Sequence, residues 1–162
     1  MDLRSDFKLG MRRLASGVSI VATTDQQGSK GFLATSVSSV ALDPSPCLLV
    51  CVNRSTSSHD DFIRTRIFSV NVLAARQIEI ARRFSLPELR DARFEGDAWE
   101  TLTTGAPVHR DALASFDCEL MTTMTVQTHT VLIGRVVAAR SADTEAEPLI
   151  YYNGCLDHNR AA

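Results

Sequence analysis

Two hydroxyl-rich segments hold the densest polar chemistry in this chain. Ala34-Thr35-Ser36-Val37-Ser38-Ser39 and Asn53-Arg54-Ser55-Thr56-Ser57-Ser58 supply hydroxyls, backbone amides and one guanidinium. Alone, each reads as turn and cap residues. Side by side on adjacent strand ends, they would cradle an anion. The second segment runs into the start of a short helix, whose free N–H groups and dipole favour a phosphate. Arg54, with Arg82 or Arg83 after the next strand, offers forked donors for charge pairing. His129, in Gln127-Thr128-His129-Thr130, is either a surface or satisfied core residue or an imidazole at a pocket mouth.

Other constellations are missing from the sequence. There is no GxGxxG after a strand, no GxxxxGK[ST] loop and no GxSxG elbow. This disfavours a Rossmann domain but leaves room for a dinucleotide held briefly in a cleft. His59, His109, His129 and His158 show no HExxH or HxH spacing, so no metal site is expected. Cys47 and Cys51, if on one strand, face the same side about 13 Å apart, too far for a disulfide or a shared metal. The cysteines read as small buried hydrophobes in a reducing compartment, with a redox role for Cys155, near the end, as the alternative.

The elements that must position these residues are short. Leu3, Phe7, Met11 and Leu14 mark one face of an opening helix. Val18–Thr24 is β-branched and strand-like, Asp25–Gly28 a hairpin turn, and Gly31 to about Ser39 a second strand. Pro44 and Pro46 enforce a break before a strand over Cys47–Asn53. Thr56 or Ser57 would cap the short helix, with Asp60 and Asp61 in its first turn. Ile67–Leu73 alternates with period two, and Ile78, Ala81 and Phe84 form a helix face. Three more strands are expected over Ala114–Met124, Thr130–Ala139 and Leu149–Tyr152. The connections are mostly too short for βαβ crossovers, so an antiparallel barrel is favoured over a doubly wound sheet.

Composition sets the outer limits. The chain has 162 residues, enough for one domain with one core. Its net charge of −2, with Lys and Arg scattered, gives no electrostatic case for nucleic acid. Apolar runs are strand-sized, no membrane helix is expected, and the expected compartment is the cytoplasm.

Over roughly residues 8–152 the sequence resembles the flavin reductases of two-component monooxygenases. The resemblance rests on Ala15–Val21, Gly31–Val40, Leu42-Asp43-Pro44 with Pro46, Cys51–Ser58 and Phe68–Leu73. Ala81-Arg82-Arg83-Phe84, Arg93-Phe94-Glu95-Gly96 with Trp99, and His129–Val136 complete it. It implies a mainly β fold with peripheral helices: a six-stranded antiparallel Greek-key split barrel, assembled as a homodimer with flavin at the interface. It implies NADH or NADPH as hydride donor, FMN or FAD as acceptor, and transfer from nicotinamide C4 to flavin N5. A separate monooxygenase would receive the reduced flavin by diffusion. Thr35, Ser36, Val37 and Ser38 would line the isoalloxazine and ribityl chain, and Asn53, Arg54, Ser55 and Ser58 would hold its phosphate, helped by Arg83 and Phe84. His129 matches the histidine that the family places near the nicotinamide. Two departures stand out: Gln127-Thr128 replaces the family's Gly-Asp, and Tyr151-Tyr152-Asn153-Gly154-Cys155-Leu156 lacks the arginine and second tyrosine of the usual ending. Related readings are a flavin-binding module without turnover, a reductase of a corrinoid or metal complex, and an oxidase of a pyridoxine-type phosphate.

Overall fold

The structure, a computed structural model, describes residues 2–142 and 145–157, so His158 lies outside the described residues. Helix α1 (Leu3–Met11) leads into β1 (Ser16–Gly17), β2 (Ser19–Asp25), β3 (Gly28–Ala34), β4 (Ser38–Ala41) and β5 (Cys47–Asn53). Then come α2 (His59–Thr65), β6 (Ile67–Val72), α3 (Ile78–Ser85), β7 (Trp99–Thr101) and β8 (Pro107–His109). Strands β9 (Ala114–Val126), β10 (His129–Ser141), β11 (Ile150–Tyr152) and β12 (Cys155–Asp157) follow. The main sheet is antiparallel, in the order β3-β2-β6-β9-β10-β5-β4.

That sheet has seven strands, where six were expected. The single strand anticipated from Gly31 to Ser39 is cut at Thr35-Ser36-Val37, and its halves stand at opposite edges of the sheet. A flat sheet of this size would set its edges about 29 Å apart, at about 4.8 Å per strand. The four peptide steps from Ala34 to Ser38 reach at most about 14 Å. The sheet therefore curls until its edges approach, leaving a seam at residues 35–37 with no ladder between β3 and β4 among the described residues.

The concave side is packed with Val21, Val50, Val52, Phe62, Phe68, Val70 and Leu132. Phe62 enters from α2 and meets Phe32 edge-on, with centroids 5.4 Å apart. Gly134 of β10 has no room for a side chain, since a Cβ there would lie 2.7 Å from a Phe68 ring carbon. Strand β2 is buried on both faces: Val21 points inward, while Ile20 and Ala22 meet Ala81 and Phe84 of α3 outside. Phe84, Phe94 and Trp99 form one aromatic group there. The N-cap of α2 is Ser58 rather than Thr56 or Ser57, and its side chain makes no capping bond. The chain turns through Asn53-Arg54-Ser55 first, which delays the helix past the expected caps.

Candidate functional site

The seam opens into a cavity of about 600 Å³, within the range of small-molecule sites. One wall is the end of β3 and the crossover, Phe32 to Ser36. The facing wall is Cys51 and Asn53 of β5, the loop Ser55–Ser57, and His129 of β10. Phe84 and Ser85 of α3, with Pro87, Arg90 and Arg93, close a third side.

Local chemistry fixes these groups. Asn53 Oδ1 accepts from the Ser55 amide and hydroxyl, both at 2.9 Å, an Asx turn that fixes the start of the loop at the cavity wall. The Arg54 amide donates to Thr128 O at 2.9 Å, tying this loop to the β9–β10 hairpin. His129 pairs with Asn53 across β5 and with Val126 across β9, so its backbone is held on both sides. Its Nδ1 lies 3.0 Å from the Thr128 hydroxyl. Gln127, first residue of the two-residue hairpin loop, has φ 52°, a conformation that suits glycine better. The loop thus keeps a glycine-type geometry although the sequence carries glutamine.

Thr35, Ser36, Asn53, Ser55, Phe84 and His129 therefore come together in one cavity. The other expected site residues go elsewhere. Val37 packs against the core, and Ser38 sits exposed on β4. Arg54 faces a separate surface recess with His59, Asp60 and Thr125. Arg83 donates to Ala92 O at 3.2 Å and lines neither the cavity nor its neighbour. Ser58 lines a smaller chamber beside the cavity.

Sequence reasoning missed Arg93 as a site residue. It is nearly buried, donating to Gly31 O at 2.9 Å and Phe84 O at 3.0 Å, with its guanidinium 5.5 Å from the Phe84 ring centre. Burial, and then neighbouring Arg90, push its pKa below the ordinary value. The signal in the sequence was its place in Arg93-Phe94-Glu95-Gly96, a stretch that carries the resemblance but lies in an otherwise irregular segment.

Residues 11–159 match the family model for the flavin reductase like domain. The chain is 42% identical over 147 residues to FMN reductase (NADH) RutF of Bradyrhizobium diazoefficiens, covering 91% of this chain and 81% of that protein. It superposes with a TM-score of 0.86 at 31% identity on BorF, the flavin reductase component of a bacterial two-component tryptophan halogenase, covering 96% and 97% of the two chains. The NADH:FAD oxidoreductase SgcE6 of Streptomyces globisporus C-1027 gives a TM-score of 0.88 at 25% identity, covering 100% and 97%. With most of its length matched by the family model, by a relative of 42% identity and by the fold of a solved flavin reductase, this chain belongs to the flavin reductase family of oxidoreductases.

Proposed function

We propose that this protein is an NADH:FMN oxidoreductase that hands reduced flavin to a separate monooxygenase in the cytoplasm. The observation that carries this reading is the convergence of Ser36, Asn53, Ser55, Phe84 and His129 on one cavity at the seam. The donor set fits a phosphorylated flavin: the lining includes the hydroxyls of Thr35, Ser36, Ser55, Thr56 and Ser57 and the guanidinium-bearing Arg90 and Arg93. The bound flavin supplies the hydride acceptor, and nicotinamide the donor, so the cofactors carry the bond changes.

The protein's part is positioning. Phe84, backed by Phe94 and Trp99, gives an apolar wall for a flat ring. Ser36 and the Asn53–Ser57 loop orient polar edges, and His129 donates to the nicotinamide amide at the mouth. The relative named FMN reductase (NADH) supports FMN and NADH over FAD and NADPH. The likeness to a reductase component of a two-component enzyme supports a diffusing product. A homodimer, with flavin at the split-barrel interface, fits the exposed apolar residues Met121, Met124 and Val126 on β9 and Leu3, Phe7 and Met11 on α1.

Purified protein should oxidise NADH, followed at 340 nm, at a rate that depends on added FMN. Tight flavin binding without NADH oxidation would replace the reductase by a flavin-binding module. Elution at monomer mass would remove the dimer.

A further inference from the structure

We infer that His109, which stands outside the cavity, is a positioning residue for its aromatic wall: as a neutral imidazole it holds Phe84 in place, and its protonation weakens flavin binding. The inference rests on the flavin reading of the seam cavity. His109 lies outside the segments that carry the family resemblance.

Two arms run from His109 to Phe84. In the first, the imidazole meets Trp99 edge-on, with centroids 5.0 Å apart. Trp99 packs on Phe84 at 5.9 Å and on Phe94 at 4.8 Å, and Phe84 lines the cavity. In the second, His109 Nδ1 lies 3.2 Å from Gln77 Nε2. Gln77 directly precedes α3, the helix that carries Phe84. The His109 backbone is a fixed base for both arms. Its N–H donates to Asn71 Oδ1 at 2.8 Å, and its carbonyl accepts from Arg140 at 2.9 Å.

The hydrogen bonds at Nδ1 require the neutral ring. Nδ1 accepts from the Asp111 amide at 3.2 Å, which leaves the ring proton on Nε2. Gln77 Oε1 accepts from the Ala74 amide at 2.9 Å, and this turns the Gln77 NH2 group toward the same Nδ1. A second ring proton would therefore face two N–H donors. With only 7% of His109 exposed, relieving that conflict means shifting Trp99 or the start of α3. Among the described residues, Asp111 favours the imidazolium, while Arg140 of β10, Arg110 after β8 and Arg76 before α3 oppose it. Glu100 of β7 is taken up by Arg140 and Arg110. Burial, the largest influence, acts with the arginines and holds the imidazole below its ordinary pKa.

Trp99 is the sole tryptophan of the chain, and an imidazolium in contact with an indole quenches its emission, so Trp99 fluorescence reads His109 directly. In the ligand-free wild type, emission should fall as pH is lowered, with a midpoint below 6.5. Riboflavin is the binding probe, because it lacks the phosphate that itself titrates near pH ~6. Its Kd, from flavin fluorescence, should be flat above the Trp99 midpoint. It should rise at least about threefold by about one pH unit below it, the scale of one linked proton. All points are taken where circular dichroism shows the native signal. In His109→Asn, whose Oδ1 can accept both bonds at every pH, the quench and the rise in Kd should both disappear.

A riboflavin Kd that stays flat through the Trp99 midpoint overturns the inference in the wild type alone, whether or not the variant folds. A rise in Kd that is as large in His109→Asn overturns it too, as does the lack of any Trp99 midpoint above about pH 5. Failure of both riboflavin and FMN to bind at about pH 8, where His109 is neutral, would sink the flavin reading itself and the inference with it.

Discussion

Ser36 and Cys51 exchange two hydrogen bonds beyond the end of the β4–β5 ladder: the Ser36 hydroxyl donates to Cys51 O and accepts from Cys51 N–H, each at 3.2 Å. The β4–β5 ladder ends at Leu49, and Ser36 takes over where backbone pairing stops. A single hydroxyl thus plays the part of a ladder rung and holds the cavity wall at a set width.

Ser36→Ala should leave the Cys51 amide short of its partner and cost about 1–2 kcal/mol. The melting temperature should fall by about 2–6 °C, and FMN should bind more weakly. Ser36→Thr, which keeps the hydroxyl, should recover most of both. Unchanged flavin affinity in Ser36→Ala would mean that the seam does not shape the site.

His129 stands at the mouth, braced by Thr128 and two strands. His129→Ala should raise the KM for NADH several-fold while changing kcat by no more than about threefold, the pattern of lost uniform binding. A kcat loss of several orders of magnitude at normal KM would make His129 an acid in the chemistry.

The thiols should separate by environment. Burial, with Asp117 and Cys47 nearby, pushes the Cys118 pKa up to about 12, so it stays an inert thiol at neutral pH. Cys155 is exposed, and Cys51 is half-buried on the cavity wall. Peptide mapping after iodoacetamide should find Cys155 modified first, Cys118 untouched, and Cys51 protected by FMN. Failure of FMN to protect Cys51 would put the flavin elsewhere.

His109 is buried against Trp99 and hydrogen-bonded to Gln77, and burial lowers its pKa below the usual 6.5. The folded protein then holds fewer protons than the unfolded chain as pH drops below about 6.5, so stability falls through that window. Above the unfolded value the penalty is absent. Urea unfolding at pH 7.5 and 5.5 should show a loss at the lower pH that His109→Gln reduces. An equal loss in the variant would assign the effect to other groups.

Much was legible from local pattern. The alternation of Ile67–Leu73 marks β6, and Ile78, Ala81 and Phe84 mark the buried face of α3, because side-chain direction repeats every 2 or 3.6 residues whatever the rest of the chain does. The two hydroxyl segments, and the resemblance they belong to, pointed to the cavity walls for the same local reason.

Tertiary structure decided the rest. Thr35–Val37 cuts one expected strand in two because the sheet must curl, and curling depends on an order of strands no local window contains. The choice among arginines was likewise non-local. Arg83 is one helical residue from Phe84, about 100° around the axis, and so faces away from the cavity wall that Phe84 builds. Arg93, in a segment with no period to read, is brought back over Phe84 by bonds to the carbonyls of Gly31 and Phe84. Residue types and spacing pointed to an anion site, and the family resemblance to a flavin; packing of β3, α3 and the irregular segment decided which side chains line the cavity.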